Sequence, residues 1–531
     1  MPVFDALHNN PHFEFFLPRH EQGGSHMVQG YARISKKVGV LLVTSGPGAT
    51  NLVTPLQDAL KDGTPLVALT GEVPTYTMGT DAFQEADFIG ITTPCTKWNR
   101  VVPDIRDLPA QMNDAFRIAT SGRPGPVLVV LPKDVTTAVL EDPIRLNSFQ
   151  SIPTLDCPLL ESKLFKANRS ASIQRCAELI NQAQRPVIYA VTTSLLGLGC
   201  FDERDPKSLP MLGMHGTVYA NKAIQAADLI LALGARFDDR AIADPTRFAP
   251  ATKEASKEQR GGIIHFEIHP PHINKAIQCD EFVLGDVTTA LTELLPYFQK
   301  VESRPEWMGQ ISDWKKTYPM QPTIPLDAKI SPEYVIMLLS ELTEKTNKRT
   351  IITTGAGSHQ MWAAQYFRWT GNRSLVTPGG AGTMGFGIPA ALGAQIAEPD
   401  AMVIDIDGDA SLGMSLHEMA SATECGLPIK ILVINNNVQS MITQWQDLYF
   451  GKRHFGVHQR NADFVNVADG MNFKAQRVDA TADVQAKLEW FIHSEGLVLL
   501  DVKVNDKVPV LPWVPTGKSL DEMMIDASQL P

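Results

Sequence analysis

Cysteine is scarce: the 531 residues hold six, at positions 95, 157, 176, 200, 279 and 425, with no CxxC or other metal-binding spacing. That argues against a disulfide framework or a cysteine-ligated metal and suits small apolar thiols in a reducing compartment. No apolar run approaches the ~20 residues that cross a bilayer. Positive charge is not in surplus either. The net charge of −11 disfavours nucleic acid or an anionic membrane as the main partner. Short-period repeats and low-complexity tracts are missing. Met1-Pro2-Val3-Phe4-Asp5 shows neither a secretory apolar core nor an Arg/Ser-rich transit helix, so the expectation from these residues alone is a cytoplasmic protein.

What is present is ordinary globular material, 44% hydrophobic and 20% charged, long enough for about three domains. Short β-branched runs alternate with helical patterns, which signals parallel sheets. Strands are readable at Val40-Thr44, Leu66-Thr70 and Val127-Leu131, then Val187-Val191, Leu229-Gly234 and Ile263-Ile268. A third group follows at Thr350-Thr354, Met402-Ile406, Lys430-Ile434 and Leu497-Val502. Pro143, Pro153 and Pro158 mark a first linker; Pro319, Pro322 and Pro325 mark a second. The expectation is an α/β chain of three doubly wound parallel-sheet domains, 1–142, 158–300 and 325–531. Ser331 as N-cap and Pro332 at the first helical position open the third. The Pro-rich apolar tail Val508 to Trp513 is expected to pack as a lid.

Asp409 and Asn436 are the most informative pair. Each follows an apolar run that reads as a buried strand, and Leu412 to Cys425 between them reads as one helix. Such a βαβ unit puts an acid and an amide at the carboxyl ends of strands, where open α/β sheets place ligands. Oxygen donors of this kind suit a hard divalent cation carrying a diphosphate. Either loop alone reads more simply as a polar turn; their pairing carries the signal.

Other motifs are individually weaker. Glu21, in His20-Glu21-Gln22-Gly23, reads alone as a helix-start acid. Ser45 to Asn51 and Gly355 to His359 both follow strands and open helices, so their amides could face an anion, or simply turn the chain. Gly379 to Gly387 holds too many glycines for a helix or strand and implies close backbone approach to a bulky group. Arg236 at a strand end fits a surface Arg-Asp network with Asp238 and Asp239, or a carboxylate clamp.

Together these stretches resemble the catalytic subunits of acetohydroxyacid synthase (acetolactate synthase) of the fungal type, in the thiamine diphosphate enzyme superfamily. The matching segments include Leu17 to Gly23, Thr44 to Asn51, Gly79 to Asp87, Ser121 to Val127, Met211 to Gly216, Gly234 to Arg240, Ile404 to Ser411 and Thr443 to Gln446. The resemblance runs nearly end to end. It implies pyrimidine-binding, central FAD-type and diphosphate-binding domains, in that order, and joining of two 2-keto acids with loss of carbon dioxide. Thiamine diphosphate, Mg²⁺ and FAD are the implied cofactors.

By the same resemblance, Asp409, Asn436 and the main-chain oxygen of Val438 hold the metal. Gly357, His359, Gly382, Met384, Gly408, Ala410 and Met441 contact the coenzyme, with Met384 as the apolar prop that bends it. Glu21 of another subunit bonds the aminopyrimidine ring. Arg236 and Trp445 select the acceptor, while Phe83, Gln84 and Lys133 border the entrance. Arg123, Met214, His215, Gly234, Arg236, Asp238, Glu267, Ile268, Asp286 and Val287 line the flavin. A homodimer or homotetramer is implied, with a possible regulatory small subunit and a mitochondrial setting.

Three departures from the family pattern carry expectations. The family's N-terminal strand and helix before Pro2 are lacking, which would leave the first sheet short of a strand. Arg185-Pro186-Val187-Ile188-Tyr189-Ala190 runs straight into Val191 without the Gly-rich turn and helix that cradle a dinucleotide's phosphates. That counts against flavin binding. The metal loop reads Asn435-Asn436-Asn437-Val438-Gln439-Ser440, where a serine at 440 is expected to resist a positive φ; Ser358 stands where the family carries an amide. Two further readings stay open: another thiamine diphosphate-dependent decarboxylase or lyase, and a non-catalytic truncated paralogue.

Overall fold

The computed structural model describes residues 2–8, 10–140, 163–188, 192–299, 304–322 and 329–529. Pro143, Pro153, Pro158 and Pro325 of the expected linkers, and residues 189–191 of the fourth expected strand, lie outside them. The chain folds as α/β around three parallel sheets. The first orders its strands β1 (Gly39–Val43), β2 (Leu66–Glu72), β4 (Pro126–Pro132), β3 (Trp98–Val101). The second runs in sequence order: β5 (Pro186–Ile188), β6 (Leu229–Leu233), β7 (Gly262–Glu267), β8 (Glu281–Leu284).

The third sheet has six strands, ordered β10 (Arg373–Val376), β9 (Thr350–Thr354), β11 (Met402–Gly408), β12 (Lys430–Asn435), β14 (Val498–Lys503), β13 (Lys474–Val478). Its interior strands are apolar on both faces because each face is covered. Val403, Ile431 and Leu499 enter one core cluster; Ile404, Leu432 and Leu500 enter another. Strand order reverses at β9, which has β10 on one side and β11 on the other. A crevice opens at such a reversal, outside the carboxyl ends of the strands. The Gly355-Gly357 turn and Gly408-Asp409 border it.

Two helices join the first domain to the third. Glu21–Ser35 lies against Gly387–Ala397, with backbones so close that a Cβ on Gly30 would overlap the Ala390 carbonyl and one on Gly393 the Met27 carbonyl. The stretch expected as one helix from Leu412 to Cys425 is instead two, Asp409–Gly413 and Glu418–Cys425. Tight turns break it: Met414 bonds back to Ser411, Ser415 to Leu412 and Glu418 to Ser415. The break turns the Glu418 side chain toward the start of the Glu21 helix. The tail is packed rather than free, with Val510, Trp513 and Val514 fully buried.

Candidate active site

β11 and β12 run in parallel register, Gly408 opposite Ile434, so their following loops emerge side by side. Asp409 begins the helix Asp409–Gly413 and is 3% exposed. Its Oδ2 accepts from the Asn437 backbone N–H at 2.8 Å and from Asn461 Nδ2 at 2.7 Å. Burial pushes its carboxyl above the usual range, so a proton or a cation is favoured beside it. Asn436 Oδ1 accepts from the Val438 N–H at 3.1 Å, and its amide donates to Ser440 Oγ at 2.5 Å. One carboxylate, one amide oxygen and one main-chain oxygen form a hard donor set that fits Mg²⁺. The left-handed residue of this loop is Asn437, at φ 60, and not Ser440, which opens the helix Ser440–Tyr449. Asparagine tolerates that conformation, so the expected strain at 440 does not arise.

Across the crevice, Gly357 caps the helix Ser358–Tyr366 at φ 146. His359 packs where a Cβ on Gly408 would clash, and its Nε2 lies 3.0 Å from Asp407 Oδ1. Ser358 Oγ is buried without a hydrogen-bond partner. An orphaned hydroxyl beside a helix start and two side-chain-free backbones fits a phosphate group.

The Gly379 to Gly387 loop closes a third side. Gly382 and Gly385 take φ 68 and 80, and the Gly385 N–H donates to Ser411 Oγ at 3.0 Å. Met384, within this loop, is half-buried. The first domain moors the loop: Thr383 Oγ1 donates to Asp58 Oδ1 at 2.9 Å, and the Gly379 N–H to Asp62 Oδ2 at 3.1 Å. Arg33 bonds both Asp62 and the Thr377 carbonyl. Burial, with Asp62 beside it, pushes Asp58 up to about 6. Sequence reasoning missed this trio; two acids one turn apart on the otherwise amphipathic helix Val53–Asp62 were the available signal.

Glu21 is the first residue of its helix and half-buried. Its Oε2 accepts from Asn51 Nδ2 at 3.0 Å, and Gly48 leaves room beside its other oxygen. Both neighbours belong to the Ser45 to Asn51 motif. Gln84 backs onto Gly46 at φ 63, Phe83 is 90% exposed, and Lys133 is exposed at the start of Lys133–Thr137. Among the described residues no hydrogen bond joins Glu21 to the third domain. The described residues thus fall into two groups: Glu21 with Asn51 and the Ser45 to Asn51 turn in the first domain, and the crevice bordered by Gly357, Gly408 and Asp409 in the third.

A cavity of about 1730 Å³ runs beneath the strand ends of the central sheet to the third domain. Every position the resemblance assigns to flavin lines it except Val287, and Gly357, Gly382, Met441 and Trp445 line its far end. Val287 instead opens the helix Val287–Leu294, capped by Asp286. Arg123 and Arg236 both bond carbonyls at the end of the helix Val53–Asp62: Arg123 reaches Leu60 and Lys61, and Arg236 reaches Lys61 at 2.6 Å and Asp238 at 3.4 Å. Trp445 stacks edgewise on Trp513, which in turn meets His215. The room and the lining fit a dinucleotide. The phosphate cradle does not: among the described residues no α-helix follows β5 until Val218–Ala226.

Comparison with known proteins gives a consistent picture. Residues 1–91, 189–294 and 355–502 match the families described as the N-terminal TPP binding domain, central domain and C-terminal TPP binding domain of thiamine pyrophosphate enzymes. The chain is 50% identical to the mitochondrial acetolactate synthase catalytic subunit of Saccharomyces cerevisiae, over 99% of this chain and 80% of that one. It is 49% identical to the mitochondrial acetolactate synthase of Schizosaccharomyces pombe, over 99% and 83%. With the chloroplastic acetolactate synthase 1 of Oryza sativa subsp. japonica it shares 38%, over 99% and 84%.

Proposed function

The chain belongs to the acetolactate synthase catalytic-subunit family of thiamine pyrophosphate enzymes, and from that membership we propose which of its residues do the work. It is a thiamine diphosphate-dependent enzyme that decarboxylates pyruvate and joins the two-carbon remainder to a second 2-keto acid, giving 2-acetolactate or 2-aceto-2-hydroxybutyrate. When bound, the coenzyme supplies the electron sink for carbon–carbon cleavage and formation. Asp409, Asn436 and the Val438 carbonyl hold Mg²⁺ on its diphosphate. Gly357, His359, Gly382, Gly408, Ala410 and Met441 cradle it, and Met384 props it from the apolar side. Glu21 would share a proton with the aminopyrimidine ring of a coenzyme held by a second chain. Arg236 orients the acceptor's carboxylate with a planar guanidinium, and Trp445 limits its side chain. Phe83, Gln84 and Lys133 border the entrance.

The observation that carries this reading is the meeting of Asp409 with the Asn435-Asn437 loop at the reversal of strand order. Pairing of chains is part of the proposal: among the described residues Glu21 bonds only Asn51 of its own domain, and a neighbouring chain would complete each site. The setting we propose is mitochondrial, as the yeast relatives' names state for them, with a place in branched-chain amino-acid synthesis or a dedicated metabolite pathway. A regulatory small subunit is compatible with it. No helix among the described residues is long and apolar enough to cross a membrane.

Purified protein given pyruvate, thiamine diphosphate and Mg²⁺ is expected to form acetolactate; acetaldehyde as the sole product would instead favour a simple decarboxylase. Flavin is expected to bind the central cavity weakly, because among the described residues no α-helix starts soon after β5 to meet its phosphates. The protein should therefore lose FAD on gel filtration and regain it, with activity, on addition. Flavin retained at one per chain through purification would contradict this.

A further inference from the structure

We propose that Glu418 is a positioning residue for Glu21: it holds the turn that aims this acid, from the third domain of the same chain. The proposal rests on the role given to Glu21 above. Glu418 is 0% exposed, yet its carboxylate is aimed at the backbone of another domain. Oε2 accepts from the Arg19 N–H at 3.1 Å and Oε1 from the His20 N–H at 3.0 Å, the two amides immediately before Glu21. Ser421 Oγ, one turn further along the Glu418–Cys425 helix, donates to Oε2 at 2.6 Å and fixes the carboxylate's tilt. Arg19 itself reaches Glu424 on the same helix.

These bonds have a geometric consequence. The Arg19 and His20 amides lie ahead of the helix that Glu21 begins, with His20 as its N-cap. A buried carboxylate bonded to both amides fixes the direction in which the chain enters the helix, and so the origin of the Glu21 side chain. Charge-assisted bonds of this kind are short and directional. Gly23 completes the arrangement, since a Cβ there would occupy the space of Glu418 Oε1. Only Asp409–Gly413 and one turn separate the proposed metal ligand from Glu418. Small errors in aim are costly: misplacing a reacting group by about 1 Å can cost roughly 100-fold in rate.

The test compares Glu418→Gln with Gly23→Ala. The first replaces one acceptor oxygen by an amide that faces N–H donors. The second leaves Glu418 intact and adds a better helix former, but displaces the carboxylate. Both are expected to lower kcat about 10- to 100-fold, with the pyruvate KM and the coenzyme Kd unchanged. Exchange of the bound coenzyme's acidic thiazolium hydrogen with deuterated water should slow in step. Should Glu418→Gln fail to fold, Gly23→Ala alone carries the comparison. Wild-type kcat in these variants, or a loss matched by equal loss of coenzyme affinity, overturns the proposal. Glu21→Gln run in parallel separates the two claims: if that variant is fully active the role of Glu21 fails, whereas if it is dead while Glu418→Gln is normal only the positioning fails.

Discussion

Glu21→Gln is expected to bind thiamine diphosphate as tightly as the native protein and to turn over about 10²–10⁴ times more slowly, the range lost with a positioned proton-transfer group. The amide keeps the size of the carboxyl, can still accept from Asn51, and leaves the helix and its Glu418 clamp in place. What it cannot do is share a proton with a ring nitrogen. The residues proposed to grip the diphosphate and metal belong to a different domain, so affinity should not follow activity. Steady-state rates with pyruvate, set beside calorimetric coenzyme binding, check both halves; wild-type turnover would remove Glu21 from the mechanism.

Asp409→Ala should fail in the opposite way. It deletes the only carboxylate among the three groups proposed to hold the metal, leaving an amide and a carbonyl for a dication. Affinity for the coenzyme with Mg²⁺ should fall by more than the ~10–100-fold typical of groups that merely support metal ligands. A ligand at 100 times its Kd stabilises a fold by about 2.7 kcal/mol, so the native protein's melting temperature should rise on adding coenzyme with Mg²⁺. The variant should show no such rise at the same concentrations. An unaltered rise would reassign the metal.

How much of this was legible in the sequence depended on burial. Ten strands were readable, and those in the interior announce themselves because both faces are apolar. The four unread strands, β3, β8, β10 and β13, are all sheet edges, where segments such as Trp98-Asn99-Arg100-Val101 and Lys474-Ala475-Gln476-Arg477 need no continuous apolar run. The site divides in the same way. Asp409 and Asn436 were visible because each ends a strand that is itself visible. Asp58, Asp62 and Glu418 were not, since they meet partners 317 to 399 residues away, and no local pattern encodes a bond of that span. The loop at 435–440 was misjudged by three positions: the family pattern marked Ser440, whereas the turn places its left-handed residue at Asn437. The expectation of a missing Gly-rich turn after β5 rested on the family pattern, and among the described residues no α-helix lies between β5 and Val218–Ala226.

Gly30 and Gly393 lock the Glu21 helix to its own third domain, yet among the described residues the acid's hydrogen-bond partner, Asn51, lies within the first. Crippled chains should therefore be able to rescue one another. When Glu21→Gln and Asp409→Ala polypeptides are denatured, mixed in equal amounts and refolded together, half of the pairs are hybrids. Each hybrid collects both lesions in one seam and leaves the other seam intact, so about a quarter of native activity should return. Separately refolded controls should stay silent, and silence in the mixture as well would mean that acid and metal serve the same chain.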